Sequence, residues 1–366
     1  MKIVCDENIT FAKEAFSSFG NLSLLPGRKI TNKHLTDADV LIVRSVTEVN
    51  EALLKGTKVK FVGTATIGTD HLDKNYLSDN GITFASAPGC NSFAVSEWVI
   101  TAVLELISKF ELNPKTAAVI GHGNIGSKVT KILSALGLTV KVVDPPKAEI
   151  EKRNDFYAID DVLACDILTF HTPMIKSGKY PTYHLMNAER LSKLKTNTVL
   201  LNSSRGAVVD NTSLLNILNQ KKILTAFDVF ENEPNINLEL LQFLNLATPH
   251  IAGYSFEGKL NGTKMIYDEL CSFFNVENSW QQILPKLDSA FLSVSKDSHF
   301  LFLNELTKRM YPITVDDSAL RSKPDSFDQL RKNYNVRREF NNYSIAGTSV
   351  PEKLSSLLNS LRINII

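Results

Sequence analysis

A glycine-rich segment about a third of the way along the chain constrains the fold more than any other feature. An apolar run typical of a buried strand, Thr116 to Ile120, leads directly into a Gly-x-Gly-x-x-Gly motif at residues 121–126. A helical pattern comes next, and a second apolar strand, Thr139 to Val143, then ends at Asp144. This strand–loop–helix–strand order with an acid at its end predicts a dinucleotide-binding unit.

The three glycines each have a physical reason in such a unit. The first permits a tight turn, the second lets the backbone approach a pyrophosphate, and the third lets the helix pack closely on the strand. Free N–H groups at the start of the helix, near Asn124, then face the phosphates. We assign the phosphate-binding loop to Gly121, Gly123, Asn124, Ile125 and Gly126. A glycine-rich turn in some other α/β protein is the alternative.

The acid at the end of the second strand indicates which dinucleotide binds. Asp144 can accept hydrogen bonds from both ribose hydroxyls of NAD, whereas the 2′-phosphate of NADP would meet like charge there. We therefore expect NAD as the cofactor.

Composition places the chain among ordinary globular proteins. Its 366 residues exceed what one hydrophobic core usually serves, so two or three domains are expected. A net charge of +1 gives no electrostatic bias toward nucleic acid or a membrane surface. A strand-like run begins at Met1, and no apolar stretch approaches the length of a membrane span, so we predict a cytoplasmic protein. The four scattered cysteines are expected to be buried thiols, and no metal site is predicted.

Short apolar runs alternate with helical patterns along most of the chain, which favours parallel sheets. Before the glycine loop the candidate strands are Lys2–Cys5, Val40–Val43, Phe61–Gly63 and Thr83–Ala85, and the candidate helices are Phe11–Phe19, Asn50–Lys55 and Ser92–Phe110. We predict a discontinuous substrate domain (1–95 and 254–280), into which a helix at Asn261–Phe274 returns. We also predict a nucleotide-binding domain (96–253) and a mildly basic third domain (281–366).

Polar loops follow four more apolar runs of the nucleotide-binding part: Ile167–Phe170, Thr198–Asn202, Leu224–Asp228 and Leu246–Ala247. Ligands of doubly wound sheets bind outside the carboxyl ends of the strands, so these loops should share one rim. At this rim Arg205 could bind a carboxylate through two guanidinium hydrogen bonds, and His250 could act as a general base. Glu233 could hold the other imidazole nitrogen. A phosphate-facing or surface arginine and a solvated loop acid are the alternatives.

These motifs, in this order, resemble the D-2-hydroxyacid dehydrogenases: the glycine loop, Asn-Ser-Ser-Arg-Gly at 202–206, Asp-Val-Phe-x-x-Glu-Pro at 228–234 and Thr-Pro-His-Ile-Ala-Gly at 248–253. The resemblance implies two Rossmann-like doubly wound parallel-sheet domains in an α/β fold, with a smaller α+β dimerisation domain at the C-terminus. It implies that Arg205, Glu233 and His250 are catalytic. It also implies NAD contacts at Thr172, Ser203, Ser204, Arg205, Asp228 and Gly253, and substrate contacts at Ser45, Thr66 and Tyr254.

Finer motifs resemble one kind of member, which oxidises a phosphorylated four-carbon 2-hydroxy acid and forms homodimers through its C-terminal extension. They include residues 6–8, 44–47, 61–71, 87–92 and, in the extension, 327–332; the tail after Tyr343 is less recognisable. We hypothesise that Arg337 and Arg338 contact the substrate phosphate. Ion pairing on a helix surface, such as Arg338 with Glu339, is equally compatible with the sequence.

Two other functions stay open at this point. A sibling dehydrogenase acting on 3-phosphoglycerate or on an unphosphorylated 2-hydroxy acid would use the same Arg, Glu and His. A scaffold that senses NAD without turning over a substrate would share the fold, since fold alone does not decide function.

Overall fold

The computed structural model describes residues 1–282, 284–285, 287, 291–292, 299–335, 337–346, 350 and 354–366. The chain divides into two compact units. The first combines Met1–Asn91 with Ser255–Lys286, and the second combines Ser92–Tyr254 with Leu287–Ile366.

The first unit is built on a five-stranded parallel sheet with the order β2-β1-β3-β4-β5. Ile3 in the central part of the sheet pairs with Leu22 on one side and Val40 on the other. The inner strands are buried on both faces, which is why their residues are apolar without alternation. The strands are β1 (Lys2–Asp6), β2 (Asn21–Leu25), β3 (Val40–Val43), β4 (Phe61–Thr64) and β5 (Thr83–Ser86).

Helices cover both faces of this sheet. The first four are short: α1 (Ala12–Phe16), α2 (Asn32–Leu35), α3 (Glu51–Leu54) and α4 (Lys74–Asp79). A long helix, α11 (Phe256–Phe274), comes from much later in the chain and packs Ile266, Tyr267 and Leu270 against the sheet. It begins earlier than predicted because the Ser255 hydroxyl caps it by accepting the N–H of Gly258 at 2.8 Å.

The second unit is built on a six-stranded parallel sheet with the order β11-β10-β9-β8-β6-β7. The order reverses direction at β6, so the crevice for a ligand lies at the carboxyl ends of β6 and β8. The strands are β6 (Thr116–Ile120), β7 (Thr139–Val143), β8 (Ile167–Phe170), β9 (Val199–Asn202), β10 (Leu224–Phe227) and β11 (Leu246–Ala247).

Two apolar clusters hold the layers of the second unit together. One lies under the helices α5 (Ser92–Phe110) and α6 (Gly126–Ala135), around the fully buried Trp98. The other lies on the opposite face of the sheet, around Phe170 and Phe227. The remaining helices of this part are α7 (Pro145–Glu151), α8 (Ala188–Lys193), α9 (Asn211–Leu218) and α10 (Leu238–Phe243).

The C-terminal residues of this unit extend both clusters. Phe302 and Leu306 join the cluster around Trp98, and Leu320 and Phe327 join the cluster around Phe227. The described elements here are α12 (His299–Met310), α13 (Ile313–Ser322), α14 (Phe327–Lys332), α15 (Ser355–Ser360) and a small parallel sheet of β12 (Phe291–Leu292), β13 (Ser344–Ile345) and β14 (Asn364–Ile365). Part of the less recognisable tail after Tyr343, residues 347–349 and 351–353, lies outside the described residues.

The predicted fold class, two doubly wound parallel sheets in an α/β protein with a further C-terminal region, is confirmed. Strand β2 was not predicted: it is a half-exposed edge strand after Gly20, and its residues lack a buried apolar run. The predicted helix Phe11–Phe19 is a short α-helix followed by a 3₁₀ turn at Ser17–Phe19.

The four cysteines have the predicted state. All four cysteines are buried and free of disulfides. Within the described ranges, every helix is too short or too polar to cross a bilayer. The same residues contain no cluster of three or more His, Cys, Asp or Glu side chains suited to a metal. The predicted cytoplasmic location stays a prediction.

A buried carboxyl group joins α5 to the C-terminal residues. Glu97 accepts the N–H of Phe340 at 2.9 Å and a hydrogen bond from the Arg362 guanidinium at 3.3 Å. Burial, together with the negative charge of Glu339, raises the pKa of Glu97 to about 8 despite the nearby arginines. Glu97 is therefore largely protonated in the folded protein at neutral pH.

This raised pKa predicts a pH-dependent stability. Unfolded chains ionise Glu97 near 4.5 and folded ones near 8, so between these values the unfolded state loses a proton that the folded state keeps. The contribution of Glu97 to the free energy of unfolding is therefore fully present below pH 4.5. It is lost as the pH rises to about 8, by about 1.4 kcal/mol per pH unit at most. Glu97→Gln, which keeps the acceptor oxygen, should remove this loss when unfolding free energies from urea titrations are compared at pH 5 to 9.

A matched control is Glu111→Gln, which removes an exposed carboxylate just beyond α5. It should leave the pH dependence as in the unmodified chain. The prediction would be contradicted if the unfolding free energies of Glu97→Gln and of the unmodified chain changed with pH by the same amount.

Candidate active site

The glycine loop follows β6 and is shaped by two close backbone approaches. Gly121 has a left-handed φ of +92°, and a Cβ there would lie 2.5 Å from the carbonyl oxygen of His171. A Cβ at Gly126, where α6 begins, would overlap the carbonyl of Gly121. Around Gly123, by contrast, a Cβ would meet nothing within 4 Å, which leaves the backbone open to a ligand. The loop thus has the close packing and the open face that a pyrophosphate needs.

Asp144 lies at the end of β7 beside this loop. Its carboxylate accepts the N–H of His122 at 2.7 Å and caps α7 by accepting the N–H of Lys147 at 3.1 Å. The sequence did not indicate this capping role. Each carboxylate oxygen has more than one lone pair, so acceptance of ribose hydroxyls is compatible with both bonds.

Unpartnered polar atoms line the neighbouring strand ends. The hydroxyls of Thr172, after β8, and Ser203, after β9, are buried without a hydrogen-bond partner in the described part of the chain, as is Nδ1 of His171. Burial lowers the pKa of His171 to about 3, so this ring is neutral. Buried polar groups are normally satisfied, and a polar cofactor at this rim would satisfy these. The residues present therefore fit a bound dinucleotide.

Arg205 sits in the loop after β9, which is held in shape by Asn202. The Asn202 side chain accepts the N–H and hydroxyl of Ser204 at 3.1 and 2.9 Å and donates to the Arg205 carbonyl at 2.9 Å. Next to the arginine, Gly206 presses against the backbone of Phe230, where any Cβ would overlap the carbonyl. This contact fixes the arginine loop against the loop that carries Glu233.

Asp228, after β10, organises the loop after β11. Its buried carboxylate accepts the Thr248 hydroxyl at 2.6 Å and the N–H groups of Ile251 and Ala252 at 2.8 and 2.9 Å. Burial raises the pKa of Asp228 to about 6, although the charge of His250 and these hydrogen bonds oppose the shift. The carboxylate therefore holds the backbone on both sides of His250 in place.

His250 and Glu233 form a short hydrogen-bonded pair. Nδ1 of His250 lies 2.6 Å from one carboxylate oxygen of Glu233, and the other oxygen accepts the N–H of Phe230 at 2.8 Å. Burial alone would raise the pKa of Glu233, but the charge and hydrogen bond of His250 outweigh it and hold that pKa below its usual value. An ionised Glu233 makes Nδ1 the donor and leaves Nε2 as the nitrogen for a substrate.

A second Glu–His pair lies on the neighbouring loops. Nε2 of His184 is 2.6 Å from the Glu231 carboxylate, and its Nδ1 is 3.7 Å from Asp210. The side chain of Asn211 accepts the N–H of Glu231 at 3.1 Å. Nothing in the sequence motifs distinguished this pair, which ties the loop of Glu233 to the start of α9.

Two predicted substrate residues belong to the first unit. Ser45 is exposed in the turn after β3. The Thr66 hydroxyl, after β4, lies 2.8 Å from that of Thr64 and donates to the Gly68 carbonyl at 3.1 Å. Both residues follow the carboxyl ends of parallel strands, as in the second unit.

The third predicted substrate residue, Tyr254, contacts the C-terminal part of the second unit. Its hydroxyl accepts a hydrogen bond from Nη2 of Arg331 on α14 at 3.1 Å, and its ring meets Tyr334 edge-on at 6.2 Å. Arg331 was not among the predicted site residues, because an arginine in a helical pattern is usually interpreted as a charge on the helix surface.

The two tail arginines that were expected to bind phosphate are buried and used internally. Arg337 donates to the carbonyls of Ala94 and Ala252 at 3.0 and 2.6 Å and stacks on Tyr311 at 4.2 Å. Arg338 donates to the Asn342 side chain at 2.6 Å. Both guanidinium groups thus contact neighbouring atoms of the same unit, but Nε and Nη1 of Arg337 are buried without a hydrogen-bond partner among the described residues. The phosphate hypothesis for the two arginines stays a prediction.

Comparisons with known proteins place these residues in a class. The family model for the NAD-binding domain of D-isomer specific 2-hydroxyacid dehydrogenases matches residues 92–252, which include all the strand-end loops of the second unit. A domain family of unknown function, DUF3410, matches residues 283–361. The fold and the matched domain define an NAD-dependent dehydrogenase of the D-2-hydroxyacid class.

Similar curated proteins identify the family within this class to which the chain belongs. The chain is 42% identical to the erythronate-4-phosphate dehydrogenase of Tolumonas auensis, with 98% of each chain covered. It is 43% identical to the enzyme of the same name from Escherichia coli, with 93% of this chain and 92% of that one covered. The chain belongs to the erythronate-4-phosphate dehydrogenase family.

Solved structures share the fold over most of the chain. D-lactate dehydrogenase from Aquifex aeolicus, complexed with NAD and lactic acid, aligns with a TM-score of 0.64 and 24% identity, covering 75% of this chain and 96% of that one. NAD-bound 3-phosphoglycerate dehydrogenase from Entamoeba histolytica aligns with a TM-score of 0.65 and 25% identity, covering 75% and 95%. Each alignment therefore leaves about a quarter of this chain uncovered.

Proposed function

We propose that this protein oxidises 4-phospho-D-erythronate to (R)-3-hydroxy-2-oxo-4-phosphobutanoate with NAD, as a step in pyridoxal 5′-phosphate biosynthesis. The observation that carries the proposal is the match to relatives of this name over 98% of the chain, C-terminal region included. The Glu233–His250 pair supports the chemistry, because it offers an oriented base.

In this proposal His250 moves the proton. With Nδ1 bonded to the ionised Glu233, Nε2 takes the proton of the substrate hydroxyl at C2 while the hydrogen on that carbon departs as hydride. When bound, NAD supplies the hydride acceptor. The products are the 2-oxo acid, NADH and a proton on His250, and the reverse reaction returns that proton to the ketone oxygen.

The other rim residues bind and orient. We propose that Arg205 pairs with the substrate carboxylate and polarises the C2 oxygen, since a guanidinium matches a carboxylate in two hydrogen bonds. Asp228 and Gly253 are assigned to the nicotinamide side, and Thr172, Ser203 and Ser204 to the cofactor's other contacts. The unpartnered hydroxyls of Thr172 and Ser203 support this assignment.

Substrate selection is assigned to residues outside the catalytic group. From the family resemblance we propose that Ser45, Thr66 and Tyr254 contact the substrate. Short hydroxyl side chains suit a substrate rich in oxygen atoms.

The choice of hydroxy acid is tested by single-turnover NADH formation with purified enzyme and NAD. We expect 4-phospho-D-erythronate to be oxidised with a kcat/KM about tenfold or more above that of 3-phospho-D-glycerate, since pockets distinguish one carbon unit by about that factor. A preference for 3-phosphoglycerate would reject 4-phospho-D-erythronate as the substrate. It would leave the assignment to the D-2-hydroxyacid dehydrogenases unchanged. Tight NADH binding without turnover of either acid would favour the NAD-sensing scaffold.

The role of Glu233 is tested by Glu233→Gln. The variant loses the charge that orients and stabilises the imidazolium, so we expect kcat to fall about 10²-fold or more while NADH affinity is kept. Glu231→Gln is the matched control, because it removes the charge from a Glu–His pair of equal length two residues away and keeps a side-chain oxygen that can accept a hydrogen bond from His184. That control should keep kcat within about threefold. Equal losses in the two variants would reject the orienting role.

We also propose that the chain forms a homodimer through its C-terminal region, on the strength of the family resemblance. Sedimentation should then give twice the chain mass of 40.7 kDa. A mass equal to one chain at micromolar concentration would reject it.

A further inference from the structure

We propose that Arg331 binds the phosphate of the substrate and thereby sets the preference for a phosphorylated over an unphosphorylated 2-hydroxy acid. The inference rests on the proposed function and adds a specificity-determining residue to it. Arg331 lies on α14, within the C-terminal region that DUF3410 matches.

The first argument is position. Nη2 of Arg331 donates to the Tyr254 hydroxyl at 3.1 Å, and Tyr254 follows His250 by four residues. The positive charge of Arg331 is also one of the influences that hold the pKa of Glu233 below its usual value. The guanidinium is therefore within electrostatic range of the Glu233–His250 pair.

The second argument is that the hydrogen-bond donors of the Arg331 guanidinium are only partly used. Arg331 is only 13% exposed, yet its acidic partner at ion-pair distance is Asp328, 3.6 Å away and itself 40% exposed. Among the described residues, Nε of Arg331 is buried with no hydrogen-bond partner. A guanidinium has five N–H groups, and within the same residues the hydrogen bond that this one makes goes to the Tyr254 hydroxyl. Arg331 therefore keeps N–H donors that an anionic ligand could accept from.

Two other arginines of the C-terminal region, Arg321 and Arg362, have partners within the fold. Arg321 bonds to Asp317 and to the carbonyls of Leu241 and Leu244. Arg362 lies between Glu97 and Glu339. Their partners belong to helices and strand connections, whereas the partner of Arg331 is a predicted substrate residue.

The chemistry fits a phosphate at the far end of a short acid. In the proposed mechanism Arg205 takes the carboxylate at C1, so a second guanidinium is needed for the dianion at C4. Arg331 presents a planar fork of the kind that binds phosphate oxygens in pairs.

The test compares phosphorylated and unphosphorylated substrates. In Arg331→Gln, the ratio of kcat/KM for 4-phospho-D-erythronate to that for D-erythronate should fall about 30-fold or more, the loss expected when one partner of a buried charge pair is removed. If D-erythronate turns over too slowly, its inhibition constant against the phosphorylated substrate replaces its kcat/KM. Inorganic phosphate should also inhibit the unmodified enzyme competitively and inhibit Arg331→Gln about tenfold more weakly.

Lys332→Gln is the matched control, since it removes a positive charge from the next, exposed position of the same helix. Its substrate ratio should stay within about threefold of the unmodified enzyme. Unchanged NADH binding shows that each variant is folded.

Three results would overturn the inference or its basis. Equal losses on both substrates in Arg331→Gln would make Arg331 a support for Tyr254 alone and reject phosphate binding. No loss on either substrate would reject any part in the site. Failure of the unmodified enzyme to oxidise 4-phospho-D-erythronate would reject the proposed function itself, together with the inference that rests on it.

Discussion

The buried carboxylate of Asp228 is the interaction on which the candidate site depends. It gathers a hydroxyl and two backbone N–H groups from the residues around His250, whose φ of +55° is an unfavourable left-handed conformation for a side chain of this size. Without these hydrogen bonds nothing would offset the unfavourable backbone conformation of His250, and its imidazole would not stay beside Glu233. A carboxylate inside the protein thus holds His250, the proposed base, in position.

Much of this arrangement could be predicted from the sequence, because parallel strands bring their carboxyl ends to one edge of a sheet. Arg205, Glu233 and His250 are separated in the chain, yet each follows a short apolar run, and the structure places all three after neighbouring strands of one sheet. The glycine loop was predictable for the same reason: its backbone conformation requires particular residues at particular positions.

What the sequence did not indicate depends on contacts between distant segments. Strand β2 lies at a sheet edge, so half-exposure removes the apolar run that would have marked it. The sequence singled out Arg337 and Arg338 but did not indicate the contact of Arg331 with Tyr254, and both outcomes have one reason. A guanidinium's partner is decided by packing, and neither a doubled arginine nor a single one reports whether it meets a carbonyl, a carboxylate or a ligand.

The close approach of Gly206 to the backbone of Phe230 has a consequence for how such an enzyme can change. Arg205 and Glu233, the proposed substrate-binding arginine and orienting acid, lie on loops whose backbones touch at Gly206 and Phe230. A substitution that shifts one loop would then displace the other, which would couple anion binding to proton transfer in the proposed mechanism. New substrates would then be accommodated more readily by exchanging side chains elsewhere, for example in the C-terminal region that carries Arg331.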